Sequence, residues 1–139
     1  MKLAAVLLIV LALVVAIVPA VTDCLSQGRV LTLTTGKTVP MKCHWTGVAE
    51  LSLAVPLALA GLGLIFSKRK ETRRMLAILG VVLGALVIAE PLLLIGVCAS
   101  PDMLCNSIMQ PTLVLAGGLI IAISLVIGIL NERRKEDPA

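Results

Sequence analysis

The stretch of residues 3–21, LAAVLLIVLALVVAIVPAV, runs for nineteen residues without a charge. Three more blocks of the same kind follow at 48–66, 75–97 and 111–130, and the four together contain only two acids, Glu50 and Glu90. About 20 apolar residues in a helix cross the roughly 30 Å of a bilayer's hydrocarbon. Core helices of soluble proteins are seldom so long and so apolar on every face. At 139 residues, 59% hydrophobic and 14% charged, the sequence is too apolar for a soluble domain and too short for a second one. The expected fold is an all-α membrane protein, a four-transmembrane-helix bundle in a single domain, 1–139. Its outer loops would be 22–47 and 98–110, and its first partner is the lipid bilayer.

Charge sets the expected orientation. Of the 12 Lys and Arg, Lys2, Lys68, Arg69, Lys70, Arg73, Arg74, Arg133, Arg134 and Lys135 fall on one side of the four blocks. Only Arg29, Lys37 and Lys42 fall on the other. Basic residues are translocated reluctantly, so the rich side, with both termini, is read as cytoplasmic. The same clusters suit anionic headgroups. They lack the aromatic platforms or folded module of a nucleic-acid site, and no nucleic-acid partner is expected. The first block also has the look of a signal peptide, with Lys2 ahead of it and Val18-Pro19-Ala20 near its end. We read it as a retained span, and Asp23 directly before Cys24 is unsuited to a lipobox. The expected location is the cytoplasmic membrane, crossed several times.

All four cysteines, Cys24, Cys43, Cys98 and Cys105, then lie in the extracytoplasmic loops or at their edges. That distribution suits disulfides in an oxidising compartment. Local pairing, Cys24 with Cys43 and Cys98 with Cys105, needs no contact between loops and is preferred. A cross-loop pairing that staples the two helical hairpins stays open. Within the first loop, two β-prone runs flank Thr35-Gly36-Lys37 and predict a β-hairpin with Gly36 at positive φ. A two-residue turn at Thr35-Gly36 would set Cys43 opposite Gly28. A lone hairpin is marginal in water, so a disulfide at its base is expected to hold it.

The densest polar patch is Met41-Lys42-Cys43-His44-Trp45-Thr46, with Glu50 at the mouth of the second block. His44, the only histidine, is a candidate proton-titrating group or metal ligand. Met41, Met103 and Met109 are weak candidates to join it around copper, or zinc in a thiol setting. Against metal, no Cys-x-x-Cys or His-x-x-x-His spacing is present, and an interfacial His bonded to Glu50 or to backbone is the simpler expectation. Glu90 is the intramembrane acid. It lies about 22 Å along a helix counted from Met75, and Pro91 frees the carbonyl of Val87. An acid at such depth faces the bundle interior or a cavity, with His44, Thr46, Gln110 or Thr112 as partners.

Catalysis has little support. A thiol oxidoreductase usually shows Cys-x-x-Cys, whereas Cys98 and Cys105 have six residues between them. Neither enzyme activity nor a cofactor is expected. Gly80 and Gly84 form a small-xxx-small pair that lets helices approach closely, with its packing partner left open.

The run Met41-Lys42-Cys43-His44-Trp45-Thr46 leads into an apolar block, and Cys105-Asn106 and Met109-Gln110-Pro111 precede the last one. With this layout the chain resembles an uncharacterised family of small four-span prokaryotic membrane proteins, a domain of unknown function. That resemblance implies a neighbourhood of ABC-type exporters and carries over no catalytic residue. The functional expectation is a non-enzymatic accessory subunit of a larger membrane complex such as a transporter, with other membrane subunits as partners. Its disulfide-stapled cap would contact partner or cargo. The alternatives are an outer-face copper- or zinc-binding protein and a small proton-coupled transporter centred on Glu90.

Overall fold

The computed structural model describes residues 2–133. Four long helices, α1 (Lys2–Thr22), α2 (Lys42–Phe66), α3 (Lys70–Ala89) and α4 (Gln110–Arg133), account for most of the chain. Two short strands, β1 (Leu31–Thr32) and β2 (Thr38–Val39), lie between α1 and α2. A π-helical turn, Glu90–Leu94, prolongs α3, and another, Cys105–Met109, leads into α4. The four resulting helical runs are each long and apolar enough to cross a membrane, as in a small multi-pass membrane protein. The rest of the basic tail, with Arg134 and Lys135, lies outside the described residues.

Burial carries the helical period that hydropathy hides. In α1 the buried residues are Ala5, Leu8, Ala12, Val15, Pro19 and Thr22, three or four apart, the spacing of one helix face. Leu7, Val10, Leu13 and Ile17 point outward and are exposed. Large apolar side chains on the outer face suit a lipid-facing surface, and helices meet closely where the facing side chains are small, as at Ala5 and Ala12. Packing of α3 on α4 follows this rule. A Cβ on Gly84 would sit 3.0 Å from the Gly117 carbonyl oxygen, and one on Gly117 would sit 2.8 Å from that of Gly84. A Cβ on Gly80 would collide with the Ser124 hydroxyl. The small-xxx-small pair therefore packs against α4 of the same chain.

At the bundle end near the 67–69 link, the Arg73 guanidinium donates to the Ser67 carbonyl at 2.9 and 2.7 Å. The buried Asn131 amide donates to the Lys70 carbonyl at 2.9 Å and ties α4 to the start of α3.

The opposite end departs from the sequence reading in two places. Strand pairing is Leu31 with Val39 and Thr32 with Thr38, one residue out of step with the register of a two-residue turn. The loop is instead Thr34-Thr35-Gly36. Leu33 N–H donates to Lys37 O at 2.8 Å, Gly36 N–H donates to Leu33 O at 2.9 Å, and Gly36 has φ +80°. This is the three-residue hairpin loop with its last residue left-handed, which tolerates the β-branched Thr34 and Thr35 better than a turn needing two positive φ values. Second, α2 begins at Lys42 rather than near 48, just after extended Met41. Cys43 is consequently a helical residue and does not pair across from Gly28. Hydropathy misses this start because Lys42, His44 and Thr46 are polar while their backbone is helical all the same.

Candidate functional site

The cap is assembled from the ends of all four helical runs. Pro19 lacks a backbone N–H, and α1 stops three residues later. There the Thr22 hydroxyl donates to Val18 O at 2.6 Å. Asp23 then makes a tight turn: its Oδ1 accepts from Ser26 N–H at 2.7 Å, and the Ser26 hydroxyl donates to Asp23 O at 2.8 Å. This turn aims Cys24 inward. The first turn of α2 supplies Cys43 and His44, the segment leaving α3 supplies Cys98, and the π-helical turn before α4 supplies Cys105.

Four residues drawn from across the sequence thus meet at one point. Their sulfur atoms all lie within 4.8 Å of one another. Cys24 and Cys43 form a disulfide, the local pairing expected for them. Cys98 and Cys105 are free thiols, so the expected second disulfide is not formed. Cys98 Sγ lies 3.5 Å from Cys43 Sγ and 3.6 Å from Cys24 Sγ, and Cys105 Sγ lies 3.6 Å from Cys24 Sγ. Three of the four are sealed, with Cys24 at 1% exposure and Cys43 and Cys105 at 0%. Cys98 alone reaches the surface in part. The sulfurs share one apolar cluster with buried Met109 and half-buried Met41, Val97 and Met103.

The other candidates divide around this centre. Met41 Sδ is 4.0 Å from Cys98 Sγ. Among the described side chains, His44 is engaged by a residue the sequence reading did not single out. Its Nδ1 lies 2.9 Å from Asp23 Oδ2, not beside Glu50. An ionised carboxylate only accepts, so Nδ1 carries the proton and donates it to Asp23. Burial pushes the Asp23 carboxyl up, but hydrogen bonds from His44 and Ser26 outweigh it and hold it below its ordinary value of 3.8. Asp23 immediately precedes Cys24 and His44 immediately follows Cys43, so the hydrogen-bonded pair flanks the disulfide on both strands of chain. Trp45 is 55% exposed at the same end and meets the His44 ring edge-on at 5.7 Å.

Below the sulfurs, α2 presents Cys43, Thr46 and Glu50 on one buried face. The Thr46 hydroxyl donates to Gly96 O at 2.7 Å and not to Glu90. Glu50 is fully buried, and among the described residues neither of its carboxyl oxygens nor Glu90 Oε2 has a hydrogen-bond partner. Glu50 therefore belongs to the interior, not to the rim. The signal for that lay in helical spacing: Cys43, Thr46 and Glu50 recur every three or four residues once α2 is started at Lys42.

Thiols in contact with a disulfide can exchange bonds with it, and once that bond is reduced four thiolates can ligate a soft metal ion. No curated protein and no solved structure matches the chain. Residues 4–130, nearly its whole length, match one family model, and the chain belongs to the family described as a domain of unknown function, DUF4418.

Proposed function

We propose that the protein is a membrane-embedded thiolate site, whose four cysteines, once all reduced, hold one soft metal ion, Zn(II) or Cu(I). The observation that carries this reading is the convergence of four sulfurs within 4.8 Å from four separate elements. In a tetrahedral four-sulfur site with bonds of about 2.3 Å, neighbouring sulfurs stand about 3.8 Å apart. The 3.5 and 3.6 Å separations from Cys98 and Cys105 to the first pair are near that value. Opening the Cys24–Cys43 bond takes two electrons from an external reductant and gives two more thiolates. Soft thiolates favour zinc and cuprous ions over hard cations. The basic clusters support placing the cap on the extracytoplasmic face.

Metal analysis of detergent-purified protein tests the reading. Reduced protein exposed to Zn(II) or Cu(I) retains about one ion per chain, and Cys98→Ser or Cys105→Ser lowers that retention while Met103→Leu does not. Cobalt substitution shows the intense sulfur charge-transfer bands of a four-thiolate site. Reduced, folded protein that retains no metal sinks the idea.

A second reading, as an accessory subunit of a larger membrane complex such as a transporter, draws on the other end of the molecule. A groove of about 590 Å³ between α3 and α4 is lined by Ala77, Ile78, Val81, Leu125, Gly128 and Ile129. At its wall the buried Ser124 hydroxyl has no hydrogen-bond partner among the described residues. A neighbouring subunit's helix bringing a polar group there would satisfy it. Copurification from native membranes tests this, and it predicts that Ile78→Trp releases the copurifying chain; a protein isolated as a lone monomer overturns it.

A further inference from the structure

We propose that the cap is a thiol–disulfide exchange centre that takes two electrons from an external dithiol, with Cys98 as its port. This goes beyond metal binding: it uses the same four sulfurs but requires no ion.

Three observations carry it. The Cys24–Cys43 disulfide is sealed from the surface. Two free thiols touch it: Cys98 lies beside the bond, 3.5 Å from Cys43 Sγ and 3.6 Å from Cys24 Sγ, and Cys105 lies 3.6 Å from Cys24 Sγ, so either needs only a small swing to reach the bond axis at the roughly 3–3.5 Å of a reacting pair. Of the four, only Cys98 is partly exposed. An external thiol thus cannot reach the buried bond directly, while a thiol that can be reached is already in contact with it. Cys-x-x-Cys is not needed for such proximity, because folding supplies what sequence spacing does not.

Exchange proceeds by thiolate attack on a sulfur of the disulfide. Cys98 thiolate attacks Cys43 Sγ. The Cys98–Cys43 bond forms as the Cys24–Cys43 bond breaks, and Cys24 leaves as a thiolate that takes up the proton Cys98 gave. Cys105 then attacks Cys98, forming Cys98–Cys105 and releasing Cys43, which receives the Cys105 proton. Two electrons have moved from the second pair to the first, with no outside oxidant. The disulfide now includes the accessible sulfur. One thiol of an external dithiol attacks Cys98 and releases Cys105; its second thiol resolves the mixed disulfide and releases Cys98. The dithiol is oxidised to a disulfide and the cap ends with four thiols.

The test is a stopped-reaction assay on full-length protein in detergent with chelator present, using a dithiol peptide as the probe and counting protein thiols by mass after alkylation. Wild type oxidises one equivalent of peptide per chain. Cys98→Ser keeps the Cys24–Cys43 disulfide, verified by mass, yet reacts at least about tenfold more slowly, since exchange rates depend on access. Cys105→Ser falls between, because the Cys98–Cys43 mixed disulfide is still reachable. Equal rates for wild type and Cys98→Ser, or a Cys24–Cys43 bond that survives excess peptide in wild type, overturns the proposal. Failure to retain zinc or copper leaves these rates unchanged, so the two readings fail separately.

Discussion

At Asp23 a single side chain joins the turn after α1 to the first turn of α2 through His44. Its carboxyl is held below its ordinary 3.8, so the stabilisation is present above that value and is lost as pH falls through the lower native one. Thermal unfolding followed from about pH 6 down to about pH 3 should show this loss in wild type, spanning values below the free carboxyl's. Asp23→Asn should unfold at lower temperature at the upper end of that range and show a flatter profile. Gly84 is held in close contact with the Gly117 backbone. Gly84→Val forces α3 and α4 apart, and overpacking of this kind costs about 1–3 kcal/mol, to be read as a lowered unfolding temperature in detergent. Glu50 is the opposite case. It is buried with both oxygens unpartnered among the described residues, an arrangement that costs stability. Glu50→Leu should therefore raise the unfolding temperature; a drop would show that Glu50 has a stabilising partner. The proton-coupled reading of Glu90 is abandoned if Glu90→Gln functions normally.

The elements differ in how far the sequence exposes them. Four helical runs were legible because each needs only an unbroken apolar block, and lipid asks for nothing finer. The hairpin was legible in kind, from β-prone runs around Gly36, but its register was not. One residue more in the loop shifts every cross-strand pair, and only the choice between two turn geometries decides it. The start of α2 was obscured for a related reason. Polar residues at a helix end look like loop until the backbone is seen to continue through them. That start matters, because it puts Thr46 where its hydroxyl holds the Gly96 carbonyl and with it the segment carrying Cys98. Thr46→Val removes a hydrogen bond worth about 1 kcal/mol and should loosen that segment, seen as faster alkylation of Cys98 while the helical content stays constant.

For the whole molecule, the charge asymmetry gives a prediction independent of the cysteines. Lys37 and Lys68 are both exposed, one on the hairpin and one in the link between α2 and α3. Under the positive-inside rule, a membrane-impermeant amine reagent on intact cells should modify Lys37 and spare Lys68 until the membrane is opened; the reverse pattern would invert the orientation. Composition and block length by themselves determined four apolar helices, because burying a backbone in lipid leaves few solutions. They also gathered the cysteines at one end of those helices and favoured a Cys24–Cys43 pairing without deciding it. The meeting of all four sulfurs was decided only in the tertiary structure. Cys98 and Cys105 are 74 and 81 residues from Cys24, and their approach depends on how the α1–α2 and α3–α4 hairpins dock and on the two π-helical turns at their ends. Packing of α1 against α2 paired His44 with Asp23, and packing around α2 sank Glu50 into the interior. Sequence spacing along one chain cannot report such distances, because they are set by packing between helices that hydropathy treats as interchangeable.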